Sequence, residues 1–183
     1  MTDRAQSTLD FAVGVSVFLL AVAFTFAFIP GMTQPFSETV RVNPATADRV
    51  TDQLAGDTLA TPGEPYRLDA TCTAAFFDAG PDGDGCRFEG EGFDERLGLP
   101  YPDRATPPNV QVGLYEGASS DAEALYWDGE RVAWPEDGSP ASDDERLVRS
   151  TDGRTPSGSS SVVVSRRSVT VDGRDAHLRV SVW

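Results

Sequence analysis

Residues 161–183, SVVVSRRSVTVDGRDAHLRVSVW, read as one long β-hairpin. Val162, Val164, Val169 and Val171 are strand formers, and Asp172-Gly173 supplies a two-residue turn between Ser161–Val171 and Arg174–Trp183. Similar signals recur upstream. Ala124–Trp134 reads as a second hairpin around Asp128-Gly129. Asn109–Tyr115 alternates through Val110, Val112 and Leu114. Tyr66–Ala70 and Thr73–Phe77 are further candidate strands, whereas Glu136–Ser160, rich in Ser, Gly and Asp, reads as a long exposed loop. The expectation is a mainly antiparallel sheet of roughly five to seven strands, each hairpin placing consecutive strands side by side.

A short helix precedes these strands. Asn43 is a good cap and Pro44 suits the first helical position. Ala45–Ala55 then sets Ala47, Val50 and Leu54 on one face, and Gly56 is expected to close the helix. That stripe reads as a core-facing surface rather than a binding groove.

The most apolar stretch lies near the N-terminus: FAVGVSVFLLAVAFTFAFI (11–29), with no charge between Asp10 and Glu38. At 1.5 Å per residue it would reach about 28 Å, close to the hydrocarbon thickness of a bilayer. It has no polar face, so it should lie in lipid or among other helices. The rest of the chain is too polar to wrap it. Pro30-Gly31 is expected to stop the helix, with a polar stalk over 31–42. Three fates compete for this segment. It could be a permanent anchor, a secretory signal cut after Ala21-Val22-Ala23, or a pilin-type signal cut ahead of a helix that is kept. The secretory reading is weakest, because its charged region would be only Met1–Arg4 and the apolar run continues well past that cut.

The head of the helix reads Arg4-Ala5-Gln6-Ser7-Thr8-Leu9-Asp10-Phe11. This resembles the class III signal peptide of archaeal type IV pilins and pilin-like proteins. The resemblance implies cleavage between Ala5 and Gln6 by a prepilin peptidase, with Arg4, Ala5 and Gln6 forming the processing site. Gln6 becomes the first mature residue, Thr8 the third and Asp10 the fifth, and Phe11 opens the apolar helix. In such proteins the acid at position five is thought to pair with the free amine of a neighbouring subunit, making Thr8, Asp10 and Phe11 assembly residues. An acid at the edge of an apolar span needs such a partner, although Asp10 also suits a helix N-terminus with no partner at all. The chain departs from the pattern in two respects. Asp stands where Glu is commoner, and the helix is expected to end early, at Pro30. The likeness covers about the first 30 residues. More loosely, the whole layout is similar to small haloarchaeal pilin-like membrane proteins of unknown function, down to the closing RVSVW (179–183).

Composition narrows the setting. The chain carries 29 acidic and 15 basic residues, for a net charge of −14, and every basic residue except His177 is Arg. A lysine-free acidic surface suits a halophile's protein, which must stay soluble in concentrated salt; the resemblance above implies that the halophile is an archaeon. It argues against nucleic acid, which demands a basic footprint. The longest basic run is only Arg166-Arg167, inside an expected strand.

Cys72 and Cys86 are the only cysteines, and beyond a membrane helix they suggest a disulfide in an oxidising compartment. Between and beside them, Asp78, Asp82, Gly83 and Glu89 mimic part of a calcium loop. Gly80 at position three and the central Pro81 fit it badly, and a solvated turn is the better reading. No metal or other cofactor is expected. Nothing suggests an enzyme: there is one His, no GxSxG, no P-loop and no HExxH, so no catalytic residue is assigned.

The sequence therefore predicts an α+β, pilin-like chain. Residues 1–5 form a leader, 6–30 a transmembrane helix, 31–60 a stalk and short amphipathic helix, and 61–183 an extracytoplasmic β-rich domain with a flexible loop at 136–160. The N-terminus would be cytoplasmic and the domain extracellular. Membrane lipid, a prepilin peptidase and other pilin subunits are the expected partners. The chain reads as a minor pilin or cell-surface filament subunit. The alternative is a single-pass, membrane-anchored extracellular binding domain that forms no filament.

Overall fold

A computed structural model describes residues 3–33, 44–99, 108–142, 145–156 and 161–183, with side chains in the first segment described for 11–27. The chain divides into two compact units, Met1–Arg41 and Val42–Trp183. Among its described residues the first holds a single helix, α1 (Asp3–Thr33). It runs three residues beyond Pro30, where the sequence suggested a stop. A proline removes one N–H from the ladder but leaves the donors after it free to bond back. The expected stalk at 31–42 falls mostly on 34–42, which lies outside the described residues, as does Asn43, the expected cap of α2.

The second unit is α+β. Its elements are α2 (Pro44–Gln53), β1 (Ala60–Thr61), β2 (Glu64–Leu68), α3 (Ala70–Phe76), α4 (Phe93–Arg96), β3 (Val110–Tyr115), β4 (Tyr126–Trp127), β5 (Val132–Ala133), β6 (Val148–Ser150), β7 (Val163–Val171) and β8 (Arg174–Val182). Six strands form a mixed sheet in the order β1-β2-β7-β8-β3-β6, and β4-β5 form a separate small hairpin. The β7–β8 hairpin is thus the centre of the sheet. Its turn residues Asp172 and Gly173 both have positive φ, 49° and 78°, the backbone of a type I′ turn that matches strand twist.

Register then sets the core. Val110, Val112 and Leu114 of β3 stand opposite Val182, Val180 and Leu178 of β8, and all six are fully buried. Val169 and Val171 of β7 share this buried face. Helix α2 covers it with Ala47 and Val50, and Leu54 just beyond α2 joins the same core. Two acids one helical turn apart tie the helix to β7. Asp48 accepts from the Ser165 hydroxyl at 2.6 Å, and Asp52 accepts from Arg167 Nε at 2.6 Å and Nη2 at 3.1 Å.

Four further expectations change. The sheet is not wholly antiparallel: β2 runs parallel to β7, pairing Arg67 with Thr170 and Leu68 with Val171. Hydrophobic alternation carries no information about strand direction. Thr73–Phe77 is not a strand. Asp69 ends the preceding extended stretch and accepts from Cys72 N at 2.9 Å, capping α3. Gly56 does not close α2. The chain continues as a π-type turn over Leu54–Thr58, with Leu59 N donating to Leu54 O at 3.0 Å, because Leu54, Ala55 and Leu59 are all drawn into the core. Finally, 136–160 is not one exposed loop. Leu147 is fully buried and bridges Leu125 and Leu114 through backbone hydrogen bonds, leading into β6 at the sheet edge. Residues 143–144 and 157–160 of that stretch lie outside the described residues.

Candidate functional site

The helix α1 carries the sequence-predicted site. Arg4, Ala5, Gln6, Thr8 and Asp10 all fall within its helical backbone; their side chains lie outside the described residues. Phe11 is 73% exposed. Val17, Phe18, Leu19 and Leu20 are consecutive and all more than half exposed. Successive residues turn by about 100°, so four such neighbours wrap most of the circumference. Exposed apolar surface therefore surrounds the axis rather than forming one stripe. The two hydroxyls in this stretch are folded back on the helix. Ser16 Oγ donates to Ala12 O and Thr25 Oγ1 donates to Ala21 O, each at 2.8 Å. Neither needs water or a partner chain to satisfy its proton. Among the described residues, no helix is long and apolar enough to cross a membrane. The described side chains of α1 stop at Ala27, and the apolar run in the sequence continues to Ile29.

The second feature is covalent. Cys72, in the first turn of α3, and Cys86 form a disulfide. It closes the acidic loop that resembled a calcium site. Asp78, the first acid of that resemblance, is otherwise engaged. One oxygen accepts from Arg96 Nη1 at 2.5 Å and the other from Arg149. Partial burial pushes this carboxyl up, but hydrogen bonds from Arg96 and Arg149, with their charges, outweigh it and hold it below the usual aspartate range. The same Arg96 guanidinium donates to Ala75 O and Phe76 O, closing the C-terminal end of α3. The arrangement is a structural clasp between α3, α4 and β6. Among the described residues no group of three or more His, Cys, Asp or Glu could hold a metal ion.

Sequence reasoning missed the arginines that lie over aromatic rings, of which Arg174 and Arg179 sit nearer their rings than Arg96 does to Phe88. Arg174 lies 3.9 Å from the centroid of Trp134 and pairs with Glu136 and Asp137. It borders a cleft of about 480 Å³ lined also by Glu116, Ser119 and Asp175. The cation is neutralised by its own neighbours, and Trp134 is buried beneath it. Arg179 lies 3.5 Å from the centroid of Tyr115, on the sheet face turned away from the core. The Asp172-Gly173 turn already fixed which residues of β7 face those of β8. The position of Tyr115 needed the register of β3, which no motif announces.

No curated protein and no solved structure matches the chain. The model of DUF7287, a family of unknown function, matches residues 2–183, and the chain belongs to that family.

Proposed function

We propose that this chain is a non-enzymatic, pilin-like membrane protein, a minor pilin or cell-surface filament subunit whose working part is α1. The observation that carries this reading is the all-round apolar exposure of 11–27, with both hydroxyls satisfied inside the helix. Such a surface is stable in lipid or among like helices, and costly in water. Counting Phe28 and Ile29, the apolar run has the length of a membrane span. The class III resemblance at 4–11 supplies the processing step, cleavage between Ala5 and Gln6. The Cys72–Cys86 disulfide fits a domain held outside the cytoplasm.

Intact-mass and N-terminal analysis of chain purified from membranes tests the reading. A mature chain beginning at Gln6 supports it; one beginning at Met1 or Thr2 sinks it. The second reading, a membrane-tethered binding domain without filaments, is favoured by the same helix, since lipid alone could cover it. Asp10→Ala separates the two. Loss of filament incorporation with normal cleavage supports the subunit, and no filament under any condition supports the tethered domain.

A further inference from the structure

The outer face of the β7–β8 hairpin is a cationic surface on an acidic chain. Arg166 and Arg179 stand directly opposite each other in register. They point away from the core, since Ser165, Leu178 and Val180 beside them are buried. Like charges placed opposite on one sheet face are destabilising, and carboxylates outnumber arginines nearly two to one in this chain. Arginines elsewhere in the domain do form ion pairs with carboxylates, Arg96, Arg149, Arg167 and Arg174 among them. Arg166 and Arg179 form none among the described residues. The first acid along their face, Asp175, lies two rows away, opposite Thr170. Arg179 is also held in place, stacked on Tyr115 and donating to Ser119 O at 3.5 Å. A pre-oriented cation loses little freedom when it meets an anion.

The complementary surface lies on the other layer. The loop after α3 sits on the core side of the sheet, where Asp78 reaches Arg149, the register partner of buried Val112. Its Asp82 and Asp84 are exposed and form no ion pair among the described residues. The loop is braced by the Cys72–Cys86 bond and by Phe88, whose ring packs so closely on Gly83 that a Cβ there would sit 2.9 Å away. The two charged surfaces face opposite ways and do not meet within one chain.

We propose that the Arg166–Arg179 face docks the acidic loop carrying Asp82 and Asp84 of a second copy of this chain. The contact joins two different patches, so it is heterologous and can repeat from copy to copy, where a twofold contact would close on itself. The inference deepens the assembly reading of α1 and rests on it for copies held side by side. The contact itself is confined to the Val42–Trp183 unit.

The absence of lysine gives a direct test. Arg166→Lys keeps the charge and introduces the only side-chain amine. The full chain in non-ionic detergent micelles is treated with a water-soluble carbodiimide across a salt series up to molar, because a screening length of about 3 Å in molar salt weakens the net repulsion between copies and the ion pairs of the contact alike. The expected result is covalent dimers and higher species, with an amide bond mapped from position 166 to Asp82 or Asp84. Monomers alone, or links from 166 confined to other carboxylates, overturn the proposal. In the otherwise unmodified chain, Arg166→Glu with Arg179→Glu should weaken association to what α1 alone provides, and adding Asp82→Arg with Asp84→Arg should restore it. Association unchanged by the first pair, or not restored by the second, overturns it as well. The two readings fail separately. An uncut chain that still forms the mapped link sinks only the pilin reading, and a correctly cut chain without the link sinks only this one.

Discussion

The ring of Tyr115 covers Gly113, two positions earlier on β3, so closely that a Cβ on Gly113 would lie 2.5 Å from it. The glycine is the seat of the ring, and the ring in turn is the seat of Arg179. Gly113→Ala should push Tyr115 off the sheet and destabilise the domain by about 1–3 kcal/mol, the usual range for overpacking. Chemical denaturation measures this. In a Tyr115→Ala background the same substitution should cost much less; costs that simply add would show that the two residues do not bear on each other.

Thr73 is fully buried in α3, and its hydroxyl has no hydrogen-bond partner among the described residues. A buried unsatisfied hydroxyl costs about 1–3 kcal/mol. Thr73→Val keeps the shape and removes that group, so the midpoint of thermal unfolding should rise. A fall would mean that the hydroxyl is satisfied in solution.

The Cys72–Cys86 bond closes a loop with a sequence separation of 14. Replacing both cysteines with serine should cost about 3 kcal/mol, the chain-entropy figure for a loop of that size. Reduction of the native protein should lower its unfolding midpoint by a comparable amount and leave the double variant unaffected. A native protein indifferent to reductant would count against the bond as a stabiliser.

Asp78 holds Arg96 and Arg149 together, and its carboxyl is depressed below the usual aspartate value. The sign follows from linkage. A carboxyl that ionises more readily when folded contributes stability above the unfolded pKa, about 3.9, and loses it as pH falls through the lower folded value. Asp78→Asn should therefore destabilise the domain by about 1 kcal/mol at neutral pH, a modest figure because the pair is partly exposed. The gap between native and variant should close as the pH falls below the ordinary aspartate range, through the lowered folded value. A gap independent of pH would point to packing rather than charge.

Some of this fold could be read directly and some could not. The β7–β8 hairpin followed from an Asp-Gly dipeptide between valine-rich runs, and α2 followed from Ala47, Val50 and Leu54 recurring at helical spacing. The cysteine pair was legible because only two cysteines exist. The segment after Asp69 was misread because Ala70–Phe76 suits either state by composition, and a single carboxylate–amide bond from Asp69 to Cys72 tips it to helix. The three-residue β6 is too short to show any period, and only the burial of Leu147 anchors it. The opposition of Arg166 and Arg179 could have been counted back from the turn. The aromatic ring beneath Arg179 could not, because it belongs to another strand.

The order of the sheet also governs when the domain can come into being. Its two innermost strands come after everything they hold: β2 and β3 flank β7 and β8, and neither pairs with the other. A growing or threading chain that has passed 150 residues still has two half-sheets with no middle. Only when 163–182 arrives do the long-range pairings close together, which makes the assembly slow and all-or-none. Until then Val110, Val112 and Leu114 remain without the surface that buries them. Loss of these final residues should therefore abolish the domain as a unit rather than trim an edge from it.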